Sequence, residues 1–392
     1  MKVEDIKIYG THEDNTLNQI KRCVVDERVS KAVLCADGHL GYAVPIGGVI
    51  GYRDAISPSG VGFDIACGNK AVLTDMKGEE LRKNIKPIMD DVWSTLSFGV
   101  GRKNNENVEH EIFDKNYPGW SHESVKDLKR MAQGQLGTIG SGNHYVDLFT
   151  DEEDRVWIGV HFGSRGLGHK AATWFLKKAG AKDGIDVDPC VLNLNTNLGQ
   201  EYLQVMDLAG KYAYAGRNWV CSRVAKLLGA TVLQAVHNHH NFAWEEEHNG
   251  EKLWVVRKGA TPARPGQKGF VGGSMGDISV ILEGVQSTEG VESLYSTIHG
   301  AGRVMGRMEA KGKKNKQGQV VREGKVSQEM MTEWVTRANV ELRGAGVDES
   351  PHCYRRLPDV LADHAGTINI LHVLTPVGVA MAGKDEFDPF KD

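Results

Sequence analysis

The chain has 392 residues, enough for one large core or two ordinary domains, and its 40% apolar and 25% charged shares are those of a globular protein. No run approaches the roughly 18–20 uninterrupted apolar residues that a membrane span needs. The N-terminal M-K-V-E-D-I-K-I-Y-G has no apolar stretch of the secretory kind, so a cytoplasmic protein with no membrane association is expected. The net charge of −4 excludes a surface coated in basic residues, but not a local basic groove for nucleic acid.

In chain order, apolar runs and helical periodicity predict strands over 31–36 and 70–74, then helices over 79–96 and 123–136. A strand over 156–160 follows, then helices over 169–181 and 201–228, strands over 252–256 and 278–282, a helix over 327–342 and a strand over 368–374. The 201–228 helix is the clearest, because Leu203, Met206, Tyr212, Trp219, Val220, Val224 and Leu227 recur mostly at three- and four-residue steps. Strands and helices do not alternate as βαβ units, and no repeat or Pro/Ser linker divides the chain. The expected fold is α+β: a single domain over 1–392, with mixed or antiparallel sheets, flanking helices and an active site in a central cleft.

Six cysteines (Cys23, Cys35, Cys67, Cys190, Cys221 and Cys353) form no C-x-x-C pair, so neither a disulfide framework nor a zinc-finger spacing is present. The 47 glycines and 15 histidines are less evenly spread. They gather in D-G-H-L-G (37–41), G-V-G-F-D-I-A-C-G (60–68), G-S-G-N-H (140–144), H-F-G-S-R-G-L-G (161–168), H-N-H-H-N (237–241), G-G-S-M-G (272–276) and H-G-A-G-R (299–303). Such turns bring polar side chains and free backbone N–H groups together at strand ends. Seven of them in one chain point to one assembled site.

Asp64 and Cys67 lie three residues apart in a glycine-bounded turn, a spacing that suits either two ligands of one metal or a turn-capping Asp beside a buried Cys. His144, His161 and His240 each fall at a turn or strand end. With Asp64 and Cys67 they make a candidate two-metal cluster whose mixed O, N and S donors fit zinc, manganese or iron alike. In H-G-A-G-R, small residues after His299 let backbone amides approach a phosphate, Arg303 can clamp it, and the imidazole can attack phosphorus. No G-x-x-x-x-G-K-[ST] occurs, so a nucleotide is not held by a P-loop. The densest basic stretch, 310–325, directly follows this loop and is either a solvated surface segment or a contact to a nucleic-acid backbone.

Taken together and in order, these loops resemble the RtcB family of RNA-splicing ligases, with a match from 37 to 383 that also includes R-K-G-A at 257–260. The resemblance implies an RtcB-like catalytic domain with two manganese ions bridged by Cys67, one completed by Asp64 and His144 and the other by His161 and His240. It implies that His299 attacks the α-phosphate of GTP and carries GMP, that Asn143, Gly300, Ala301, Gly302 and Arg303 hold the GMP phosphate, and that Ser274, Met275 and Tyr354 line the guanine side. RNA bearing a 3′-phosphate or 2′,3′-cyclic phosphate would then be sealed to a 5′-hydroxyl end, in tRNA splicing or RNA repair, with an archease-like activator as a further partner. Two positions depart from the family pattern. Asp147 stands where the family has Glu, and Met381 where it has the Lys that reads guanine, a place Lys384 is expected to take. The competing readings are a two-metal phosphodiesterase or nuclease and a non-catalytic RNA-binding protein of the same fold.

Overall fold

The apolar runs build two sheets whose strand ends meet at one cavity. The computed structural model describes residues 5–384 and 386, apart from 115, 316 and 318. The larger sheet has the strand order Lys268–Val271, Ser279–Gly284, Ile368–Gly383, Tyr145–Thr150, Arg155–Phe162, Gly68–Lys77, Val232–His239, all antiparallel, with Glu341–Ala345 added in parallel to Ile368–Gly383. The second sheet runs Lys7–Ile8, Val29–His39, Ile46–Tyr52, Glu251–Lys258, Asn241–His248. This is the α+β arrangement expected, with mixed and antiparallel sheets and helices packed on them. No helix among the described residues is long and apolar enough to cross a membrane.

Each predicted strand is present, most of them longer than the apolar run that marks it. The 368–374 run continues to Gly383, because a register shift between Pro376 and Gly378 absorbs a residue that cannot donate to the ladder. The 201–228 helix is observed as Asn197–Leu227, started by the Thr196 hydroxyl accepting from the Gly199 amide. The predicted 79–96 helix breaks at Asn84 into Gly78–Lys83 and Ile85–Thr95. The 123–136 segment is helical only over Lys129–Gln135. The 327–342 helix stops at Arg337, since Asn339 turns left-handed and the chain leaves as the strand Glu341–Ala345.

Register decides where the function lies. Tyr145 pairs with His161, His161 with Asn69, and Asn69 with Asn238, across four neighbouring strands. His144 therefore precedes one strand, His161 ends the next, Cys67 precedes the third and His240 follows the fourth, all on the same edge of the sheet. The long helix Asn197–Leu227 packs across Gly68–Lys77 and Arg155–Phe162, keeping their outer face dry.

Candidate active site

Two ligand groups share one thiol. The donor atoms of Asp64, Cys67 and His144 all lie within 4.8 Å of one another, and so do those of Cys67, His161 and His240. Cys67 Sγ is 3.3 Å from His161 Nε2 and 3.6 Å from His144 Nε2, and His144 Nε2 is 3.1 Å from Asp64 Oδ2. His144 Nδ1 lies 3.1 Å from the Ile139 carbonyl and 3.2 Å from a terminal nitrogen of Arg165, which fixes the ring with Nε2 turned to the cluster. The Asp64–Cys67 turn closes through the Cys67 amide donating to the Asp64 carbonyl at 3.0 Å and needs a left-handed Ala66. Gly163 permits this approach, since a Cβ there would collide with the Asp64 carboxylate.

The electrostatics suit a cation. Burial would raise the Asp64 carboxyl, but the hydrogen bond and charge of His144 and the field of Arg165 outweigh it and bring it down to about 2. Burial, aided by neighbouring cationic groups, pushes His161 and His240 well below the usual histidine value, leaving neutral imidazoles with lone pairs to give. His240 Nδ1 is buried with no hydrogen-bond partner among the described residues. Burial and the Asp64 charge push the Cys67 thiol up, a shift that a bound cation reverses. Oxygen, nitrogen and sulfur donors in these two groups fit a pair of divalent transition-metal ions.

His299 lies beside the cluster, its ring centroid 4.8 Å from that of His240. Asp37, fully buried at the end of Val29–His39, holds it: Oδ2 is 2.6 Å from His299 Nδ1 and accepts the backbone N–H groups of His299 at 2.9 Å and Gly300 at 3.3 Å. Burial would raise the Asp37 carboxyl, but His299 outweighs it and keeps Asp37 ionised and acceptor-only. The carboxylate can only accept, so His299 Nδ1 is the N–H donor of this pair and Nε2 is the ring nitrogen not held by Asp37.

Asp64, Cys67, His144, His161, Arg165, His240 and His299 line one cavity of about 700 Å³, together with Asn143, Ser274, Met275, Gly300, Ala301, Gly302, Arg303 and Tyr354. The cavity thus gathers every site residue expected from the sequence except Lys384, which is exposed and not part of the wall, whereas Met381 is. Arg303 is engaged within the protein. It donates to Glu349 at 3.0 Å, to the Tyr354 hydroxyl at 2.8 Å and to the carbonyls of Asp348 at 2.8 Å and Met305 at 3.2 Å, so in this arrangement its terminal N–H groups brace the wall rather than project from it. Of the basic 310–325 segment, Lys313–Lys314 and Val320–Arg322 form a small two-stranded ribbon away from the cavity wall. Lys316 lies outside the described residues.

A family model described as tRNA-splicing ligase RtcB matches residues 19–382. The chain belongs to that family. The RNA-splicing ligase RtcB of Escherichia coli (strain K12) is 29% identical over 373 residues, covering 87% of this chain and 87% of its own. The tRNA-splicing ligases RtcB of Thermococcus kodakarensis and Archaeoglobus fulgidus are 29% and 30% identical, covering 96% and 89% of this chain and 93% and 87% of theirs. Against this family background, three features of the site escape sequence reasoning. The 37–41 loop stands out as rich in glycine and histidine, which marks the place of Asp37 but not its partner 262 residues away. Arg165 lies in a recognised loop, yet its left-handed backbone and its field on Asp64 and Cys67 appear only in three dimensions. Asp147 shows no hydrogen-bond partner for its buried Oδ1, and burial raises its carboxyl well above the usual range.

Proposed function

We infer that the chain is an RNA ligase, the activity for which its relatives are named, and that it joins RNA 3′-phosphate ends to 5′-hydroxyl ends through GMP carried on His299. The observation that carries the finer reading is a histidine held at Nδ1 by a buried carboxylate, next to two ligand groups that share Cys67. A hydrolase that only activates water has no use for so fixed a nucleophilic imidazole.

In this reading His299 Nε2 bonds to the α-phosphorus of GTP and pyrophosphate leaves. An oxygen of the RNA 3′-phosphate then takes the GMP, and the imidazole is the leaving group. Finally the 5′-hydroxyl oxygen attacks the activated 3′-phosphorus, its proton passes to solvent and GMP departs. A 2′,3′-cyclic end is first opened by water to the 3′-phosphate. Asp64, Cys67 and His144 would hold one divalent ion and Cys67, His161 and His240 the other, manganese by resemblance, and such ions supply Lewis-acid stabilisation to phosphate oxygens.

The chain's own groups do the positioning. Asn143 and the small residues Gly300, Ala301 and Gly302 line the same cavity as His299, and Arg165 and Lys170 give an anionic backbone a favourable field. The cavity volume is within the range of ordinary nucleotide-sized pockets. Asp147, whose Oδ1 has no hydrogen-bond partner among the described residues, lies on the same wall, whereas the exposed Lys384 does not.

The test is incubation with α-labelled GTP and manganese followed by a denaturing gel, with wild type beside His299→Ala. Acid-labile label on the wild type alone is the expected result. No label on either protein, with metal demonstrably bound, would overturn the guanylylation step and favour a metallophosphodiesterase built on the same ligands.

A further inference from the structure

The H-N-H-H-N run holds three histidines, of which the metal groups use only His240. The other two face Arg217. This arginine sits inside the long helix, on a face with Tyr214, Asn218 and Cys221 at three- and four-residue steps, and it is fully buried. Its Nε donates to His237 Nε2 at 2.8 Å, and a terminal nitrogen lies 2.9 Å from His239 Nδ1. The other terminal nitrogen donates to the Ala66 carbonyl at 3.0 Å and the Phe162 carbonyl at 2.5 Å. Its guanidinium also lies 5.3 Å from the centre of the Tyr214 ring.

Two aspects of this arrangement are unusual. A buried guanidinium normally meets a carboxylate, yet among the described residues none pairs with Arg217; the acidic side chains whose field it feels are Tyr214, Cys67, Asp64 and Cys221. Its two carbonyl partners also flank the proposed metal ligands in the chain. Ala66 immediately precedes Cys67, and Phe162 immediately follows His161. One arm of the rigid guanidinium fork thus ties together the two strand ends that carry the shared thiol and its nearest imidazole, which are 3.3 Å apart, while the other two donor positions are held by His237 and His239. His237 and His239, serving as acceptors for that fork, are turned away from the cluster, which leaves His240 as the ligand of the run.

Resting on the two-ion reading of the cluster, we propose that Arg217, braced by His237 and His239, is the positioning residue of the metal centre. It sets the spacing of Cys67 and His161 and places a fixed positive charge behind the shared sulfur. It touches neither ion nor substrate. Loss of the fork should loosen the shared ligand and so uncouple the two ions, rather than merely lower stability.

The test uses full-length wild type, Arg217→Met and Arg217→Lys, each stripped of metal and titrated with manganese while free ion and the spin-coupled two-ion signal are followed by electron paramagnetic resonance. All measurements are made well below each protein's own melting temperature. Wild type is expected to take two ions with a coupled spectrum. Arg217→Met should bind at least about tenfold more weakly and lose the coupling, the scale seen when residues that orient metal ligands are replaced. Arg217→Lys, which keeps the charge but not the fork, should regain part of the affinity without the coupled signal. A folded Arg217→Met with wild-type affinity and coupling overturns the proposal. If that variant does not fold, His237→Phe, which removes one brace, decides the matter: a weakened coupled signal supports the proposal and an unchanged one overturns it. Absence of two-ion binding in wild type itself would instead defeat the metal-centre reading, and the proposal with it.

Discussion

Asp37 offers the sharpest test of how His299 works. Its Oδ2 accepts three N–H groups, from the His299 ring at 2.6 Å and from the backbones of His299 and Gly300 at 2.9 and 3.3 Å. Asp37→Ala removes the one acceptor of all three N–H groups and releases the ring to choose either tautomer. The charge-assisted ring bond alone is worth about 1.5–3 kcal/mol, which at about 1.4 kcal/mol per tenfold corresponds to a fall of roughly 10- to 150-fold in the rate of GMP transfer to His299. Asp37→Asn can keep an oxygen acceptor in place and loses only the charge, about half the bond's strength, so a fall of roughly 3- to 12-fold is expected. Stability should respond less. The stranded amides cost about 1–3 kcal/mol each, but removal of a fully buried carboxylate whose Oδ1 has no partner offsets part of that cost. Single-turnover labelling with α-labelled GTP and manganese, run beside urea unfolding of the same three proteins, separates the two effects. Equal labelling rates in wild type, Asn and Ala would refute the orienting role. A rate loss that merely tracks unfolding would refute the claim that it acts on the imidazole.

Gly163→Ala drives a Cβ into the Asp64 carboxylate and should cost at least about tenfold in affinity for one of two manganese ions, read by equilibrium dialysis; unchanged stoichiometry and affinity would exclude Asp64 as a ligand. Away from the site, Glu246 is nearly fully buried with Arg257 at 2.7 Å and His248 at 2.8 Å. Burial would raise its carboxyl, but the Arg257 charge and these hydrogen bonds outweigh burial and bring it from 4.5 to about 2. Because the folded value lies below the unfolded one, the unfolded chain takes up the proton first. The stabilisation is complete above the unfolded value and drains away as the pH falls from 4.5 towards 2. About 2 kcal/mol should be gone by pH 3 in wild type and absent from the acid slope of Glu246→Gln, as measured by urea unfolding at pH 6 and pH 3. Identical acid slopes would contradict this.

The sequence alone was enough to mark the chemistry. Asp64, Cys67, His144, His161, His240 and His299 stand in glycine- or histidine-rich loops whose order identifies the family, because ligand type and turn chemistry are local properties written at each position. Strands were legible for a similar reason, since a run such as 156–160 carries its burial in its own composition. Long-range pairing decided the rest. The register that lines up Tyr145, His161, Asn69 and Asn238 leaves no local trace, yet it brings four separated loops to one sheet edge. The Asp37–His299 pair spans 262 residues. Arg217, a charge in the middle of a helix, is not singled out by any sequence pattern, and only packing shows it enclosed beside the strand ends. Arg303 and Lys384 illustrate the converse, since residue type fits each for a ligand while the fold engages one in the cavity wall and leaves the other outside it. A side chain's chemistry is intrinsic, but its partners are set by which distant segments the core brings into contact.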